Sequence, residues 1–187
     1  MPLSPDLVIR RSRAAVDTQR WTPSRRRRIR GRILRLVWYT LLKFLHVLAA
    51  VVAVGTNVTY GIWIVRGSRD PKVLPFALRG VKLIDDRLSN PAYGLLLVTG
   101  VLMVLVGGIP LSTSWLIVAL ALYVAVLLLG VLGYTPALKR QIRALESDGP
   151  QSAEYKAAAH RGMVLGPVLG VIVVVIIFLM VVKPTFW

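Results

Sequence analysis

Four apolar runs, separated by polar stretches, dominate the chain. They cover Trp38–Val65, Tyr93–Ile109, Trp115–Tyr134 and Met163–Val182. A helix needs about 20 mostly apolar residues to cross the hydrocarbon core of a bilayer. The pattern therefore predicts an all-α, polytopic membrane protein with four transmembrane helices. An even number of spans places both termini on the same side of the membrane.

The first run carries most of the polar residues found inside any apolar run. Trp38 and Trp63 lie 25 residues apart near its two ends, which is about 37 Å along a helix and matches the distance between the two interfaces. The small and polar residues of this run recur at spacings of three and four, so they share one helix face: Lys43, His46, Ala50, Ala53, Asn57 and Tyr60. We predict that Lys43, His46, Asn57 and Tyr60 form a buried polar stripe, with Lys43 reaching toward the nearer headgroups.

The connector after the first run has a helical pattern of its own. Asp70 can cap a helix and Pro71 suits its first turn. Six apolar residues then follow at spacings typical of one helix face: Leu74, Ala77, Leu78, Val81, Ile84 and Leu88. This predicts an amphipathic helix that lies on the membrane surface or against the end of the bundle. Asn90-Pro91 then begins a new helix, the second span.

The third and fourth runs extend beyond the membrane at one end. Thr135-Pro136 permits a kink, after which the third helix is expected to continue, and Ser152 can cap the fourth helix. Gly162, Gly166 and Gly170 form a small-xxx-small ladder, which lets two helix backbones approach closely. We predict that the ladder packs within the bundle, with association between chains as the alternative.

A strongly basic tail precedes the first span. The chain has a formal charge of +16, and eleven arginines lie between Arg10 and Arg35. We predict two regions: residues 1–36, a largely disordered or interfacial tail, and residues 37–187, the four-helix transmembrane domain. Basic residues beside a span favour anionic lipid headgroups and a cytoplasmic N-terminus. The predicted lipid contacts are Arg25, Arg26, Arg27, Arg28, Arg30 and Arg32. No aromatic residues alternate with these arginines, which argues against nucleic-acid binding.

Two stretches and their order resemble a known family. They are L-L-K-F-L-H-V-L-A-A-V-V-A-V-G at Leu41–Gly55 and N-P-A-Y-G-L-L-L-V-T-G at Asn90–Gly100. A W-L-I-V third span and P-A-L-K-R-Q-I at Pro136–Ile142 follow. Over about Trp38–Val182, the chain resembles the bacterial predicted integral membrane proteins of domain of unknown function 2269. The resemblance implies a multi-pass protein of a bacterial cell membrane and no particular activity.

A first-helix histidine in a four-helix bundle is more distantly similar to the haem-containing protoporphyrinogen oxidases and the copper-resistance D proteins. In the oxidases that histidine binds haem, and the matching residue here is His46. The chain departs from the oxidase pattern at Ala53, where an aromatic is usual, so the oxidase activity does not carry over. Three roles stay open for His46: a hydrogen bond inside the bundle, ligation of haem b, and proton transfer.

The remaining chemistry in the sequence is sparse. There is no cysteine, no nucleophile–base pairing and no phosphate-binding loop, so the balance is against an enzyme. Asp85 and Asp86 are adjacent and diverge on a helix, which predicts two solvated carboxylates. We therefore favour a small accessory or structural subunit that meets other membrane subunits or a second copy in the bilayer. The alternative is a haem-binding or redox membrane protein with His46 as axial ligand.

Overall fold

The computed structural model describes residues 23–186, with side chains from residue 29 onward. It contains four long helices: α1 (Pro23–Gly67), α2 (Leu74–Gly107), α3 (Ser114–Ser147) and α4 (Ala153–Val182). Each is long and apolar enough to cross a membrane, and the described residues contain no β-strand. The predicted all-α fold with four membrane spans is confirmed.

The chain divides into two units, Met1–Thr40 and Leu41–Trp187. In the first unit, the described residues form the beginning of α1, and nearly all of their described side chains are exposed. Of the predicted tail, residues 1–36, the structure describes residues 23–36, which are helical. Residues 1–22 lie outside the described residues, so the largely disordered or interfacial character of the tail stays a prediction.

The connector between the first two spans is part of α2. Its first section, Leu74–Ile84, is helical and buries Leu74, Ala77, Leu78 and Val81. Asp70 supports the turn before it, because its Oδ1 accepts from Lys72 N at 2.9 Å and its carbonyl accepts from Leu74 N at 3.0 Å. The predicted amphipathic helix is present. It continues into the second span without a break, so the helix restart expected at Asn90-Pro91 is wrong.

Two wide π-helical turns take the place of a break in α2 and α3. They span Asp85–Ser89 and Leu129–Tyr134, and each ends two residues before a proline, Pro91 or Pro136. A proline inside a helix has no N–H and its ring crowds the carbonyl four residues earlier. A π-turn inserts an extra residue and relieves that crowding. The kink expected near Pro136 is this turn, and α3 continues beyond it to Ser147 as predicted.

The sections of α2 and α3 outside these turns pack against each other. We call Leu74–Ile84 the α2 arm and Thr135–Ser147 the α3 arm. They share a hydrophobic cluster with the end of α1: Tyr60, Leu74, Leu78, Val81, Tyr134, Leu138 and Leu145. The apolar face of the connector is therefore covered by protein at the end of the bundle, which is the second of the two predicted placements.

The other end of the bundle is closed by the end of α4 and the start of α3. Phe186 N donates to Ser114 Oγ at 3.2 Å, and Lys183 Nζ lies 5.6 Å from the centre of the Trp115 ring. At the arm end, α4 begins with the predicted cap, since Tyr155 N donates to Ser152 Oγ at 3.2 Å. α3 and α4 therefore run antiparallel, with both long connectors at the arm end.

Candidate functional site

His46 is half-buried on α1 and faces α2. Its Nδ1 lies 2.8 Å from Thr99 Oγ1, and Thr99 is itself buried. The Thr99 hydroxyl donates to the Leu95 carbonyl at 2.6 Å. A hydroxyl has only one hydrogen, so with that hydrogen on the Leu95 carbonyl Thr99 accepts from His46. This assignment places the imidazole proton on Nδ1 and leaves the lone pair on Nε2.

Gly100 provides the space for this ring. A Cβ at Gly100 would lie 3.3 Å from His46 Cε1, tighter than an ordinary carbon–carbon contact of about 3.5–4.0 Å. Thr99 and Gly100 thus hold the imidazole from adjacent positions on one helix. The sequence analysis identified His46 as a candidate but not Thr99 and Gly100, which it noted only as part of the stretch L-L-L-V-T-G.

The other three residues of the predicted polar stripe have different surroundings. Asn57 Nδ2 donates to Tyr93 Oη, and Tyr123 Oη donates to the Tyr93 carbonyl, which links α1, α2 and α3. Tyr60 is buried and stacks on Tyr134 at 6.5 Å between ring centres. Lys43 is exposed and contributes nothing to these contacts.

Ala49 and Ala53 separate His46 from the polar residues nearer the arms. Both alanines are buried, and His46 and Asn57 are eleven positions apart, which is about 16 Å along the helix. The stripe is therefore two polar sites on one helix, with an apolar section between them.

The second polar site lies where the two π-turns meet α1. Asp85 and Ser89 in the α2 turn are both buried, and Ser89 Oγ lies 2.8 Å from Thr56 Oγ1. The prediction that Asp85 is solvated is wrong. Asp86 is exposed and pairs with Lys82. The sequence does contain an indication that Asp85 is buried. Asp85 follows Val81 by four residues and therefore lies on the buried face of the α2 arm.

The glycine ladder of α4 makes no close contact inside the bundle. A Cβ added at Gly166 or Gly170 would meet no atom within 4 Å. A Cβ added at Gly162 would meet only Gln141 Oε1, at 3.9 Å. At Gly166 and Gly170 the favoured prediction, close packing within the bundle, is therefore wrong. Close approach occurs at Gly133 instead, where a Cβ would lie 3.1 Å from Leu165 Cδ1.

The basic tail is described only in part. Arg30 and Arg32 are exposed, while the side chains of Arg25, Arg26, Arg27 and Arg28 lie outside the described residues. Within residues 29–186, no three His, Cys, Asp or Glu side chains are grouped as a metal ion would require.

The comparisons with known proteins place the chain in a family. A family model described as "Predicted integral membrane protein (DUF2269)" matches residues 40–184. No curated protein and no solved structure matches the chain. Since the matched region covers all four apolar spans and most of the sequence, this protein belongs to the domain of unknown function 2269 family of predicted integral membrane proteins.

Proposed function

We propose that this protein is a small accessory subunit whose last helix docks on another subunit of a larger membrane assembly. The observation that carries the proposal is the open surface at Gly166 and Gly170, where an added Cβ would meet nothing within 4 Å. Small residues four apart on a transmembrane helix allow a second backbone to approach closely. In this bundle no described backbone does so at these two positions.

The way in which α4 packs leaves this surface free. Leu165 and Leu169 pack against the hydrophobic cluster at the arm end. Only 6% of the most apolar window of α4 is buried, the smallest share among the four helices. Lipid chains gain little from a glycine surface, and glycine weakens a helix by about 1 kcal/mol relative to alanine. Close packing of a neighbouring helix against the two glycines would offset this cost.

The test is leucine substitution of the ladder with a matched control. Gly166→Leu and Gly170→Leu should abolish co-purification of the partner from mildly solubilised membranes, because the added side chains prevent close approach of the backbones. Gly94→Leu is the control, since Gly94 also lies on a span and has no atom within 4 Å of its Cβ position. Loss of partner in the control as well, or retention in both ladder variants, would refute the proposal. A tagged second copy tests self-association in the same way.

A second candidate function, haem binding, is favoured by the contact between His46 Nδ1 and Thr99 Oγ1. A histidine that binds a metal through one nitrogen usually donates its other N–H to a fixed acceptor. With Thr99 Oγ1 as that acceptor at 2.8 Å, His46 would hold a haem iron through Nε2. Bound haem would supply one-electron redox chemistry. The other histidine, His160, is exposed near the arm-end start of α4, so a site at His46 has one histidine ligand.

Haem binding is tested by absorbance rather than by activity. Protein purified from haem-replete cells should show reduced-minus-oxidised α and Soret bands, and His46→Ala should remove them while helicity stays unchanged. Thr99→Val should keep the bands but shift the redox potential, because Thr99 only orients the ring. A colourless wild-type protein that takes up no added haem would eliminate this candidate and leave the subunit proposal intact.

A further inference from the structure

Asp85 is a buried acidic residue with one long hydrogen bond among the described residues. Its side chain lies in the π-turn of α2 and is 6% exposed. Its one hydrogen bond in the described region is from Asn90 Nδ2 to Oδ2, at a long 3.5 Å. The ion pairs found within residues 29–186 are Arg79–Glu146 and Lys82–Asp86, so neither involves Asp85.

A second buried polar group lies at the same junction without a partner. The Tyr60 hydroxyl is buried and makes no hydrogen bond of good geometry to any described residue, although the Ser89 and Thr56 hydroxyls are near it. Several titratable groups on all three helices lie close enough to Asp85 to interact with it electrostatically. They are Tyr60 from α1, Lys82, Asp86 and Tyr93 from α2, and Tyr134 and Lys139 from α3.

An ionised carboxylate in this position would be strongly unfavourable. A buried charge needs a counter-ion or several hydrogen bonds, and without them the group becomes neutral instead. Lys82 and Lys139 interact with Asp85 electrostatically but form no ion pair with it, and the Lys82 ammonium is engaged by both oxygens of Asp86. Asp85 has neither a close ion pair nor a short hydrogen bond to stabilise a negative charge.

We propose that Asp85 is a proton-binding site at the junction of the two π-turns, and that it carries a proton in the packed state of the arms. The carboxyl takes up one proton from water at the arm end and releases it there. A metal ion fits less well, because Asp85 brings one carboxylate and no group of three ligand side chains exists among the described residues.

The position of Asp85 couples its proton to the packing of the arms. The Tyr60 and Tyr134 rings stack beside it, and both belong to the cluster that joins α1 to the two arms. Loss of the proton places an unpaired charge within that cluster. The arms then separate to admit water, so their packing becomes sensitive to pH on the side of the membrane that the arms face.

Infrared spectroscopy tests the protonation state directly. The full-length protein in lipid vesicles near neutral pH should show a carbonyl stretching band of a protonated carboxyl group that shifts in D₂O. Asp85→Asn should remove the band, and Asp148→Asn, an exposed control whose carboxylate bonds Ser147 rather than Lys82, should leave it. A wild-type spectrum without the band, or a band that persists in Asp85→Asn, would overturn the proposal.

Hydrogen–deuterium exchange tests the coupling. After correction for the intrinsic effect of pH, exchange in Leu74–Ile84 and Thr135–Ser147 should accelerate as pH rises in the wild type and in Asp148→Asn. Asp85→Asn should show slow exchange throughout, because an amide cannot release the proton. The same acceleration in Asp85→Asn, or none in the wild type, would contradict the coupling.

Discussion

Gly67→Ala should separate the end of α1 from the α2 arm. Gly67 is the last residue of α1 and is buried against that arm. A Cβ at this position would lie 2.6 Å from Ala77 Cβ and 3.6 Å from Leu74 Cα. Carbon atoms in contact are normally about 3.5–4.0 Å apart, so the two helices must move apart by about 1 Å. No flexible side-chain end can absorb this shift, because the contact is with a Cβ.

The expected magnitude follows from the cost of overpacking. Inserting one carbon into a packed contact typically destabilises a protein by about 1–3 kcal/mol. Gly61→Ala is the matched control on the same helix, since its Cβ would meet nothing within 4 Å. Alanine is the better helix former by up to about 1 kcal/mol. The two variants should therefore differ by about 1–4 kcal/mol in free energy of unfolding, with Gly67→Ala the less stable.

Reversible unfolding in mixed micelles, followed by circular dichroism, measures this difference. Hydrogen exchange should place the Gly67→Ala effect in the α2 arm. Equal stabilities of Gly67→Ala and Gly61→Ala would mean that the close approach of α1 to the α2 arm is not present in the protein.

Three further predictions concern the polar sites and the topology. Thr99→Val and His46→Leu should show a coupling energy of about 0.6–1.7 kcal/mol in a double-mutant cycle, and a coupling near zero would mean that the bond does not form. Tyr60→Phe should not lower the unfolding midpoint, since its buried hydroxyl has no partner among the described residues; a loss above about 1 kcal/mol would contradict this. The chain has no native cysteine, so a membrane-impermeant thiol reagent should label Lys72→Cys and Ser112→Cys from opposite sides. Labelling of both from one side would rule out the four-span topology.

The features that the sequence predicted well depend on local pattern. The four spans follow from the length of their apolar runs, and the α2 arm follows from the spacing of residues such as Leu74 and Val81. The cap at Ser152 needs only the next three residues. Each of these is decided by residues close together in the chain, so the pattern is sufficient.

The features that the sequence did not predict depend on which helices meet. Asn90-Pro91 predicts an irregular backbone, because a proline cannot follow an ordinary α-helical turn without strain. Either a helix break or a π-helical turn relieves that strain. The packing of the two arms favours the π-helical turn and a continuous helix. Asp85 shares a helix face with Val81, yet its burial requires α1 and α3 to cover that face. The spacing of Gly166 and Gly170 indicates a possible close contact but does not identify the helix that makes it.

Docking of the last helix on a partner is tested by measuring the mass of the protein in lipid particles cut directly from its own membrane. The chain should be recovered in a complex heavier than its own 20.6 kDa plus bound lipid. The Gly166→Leu/Gly170→Leu double variant should release the single chain, while Gly94→Leu should keep the complex. Recovery of the wild-type protein only as a single chain would contradict a docking role for the last helix.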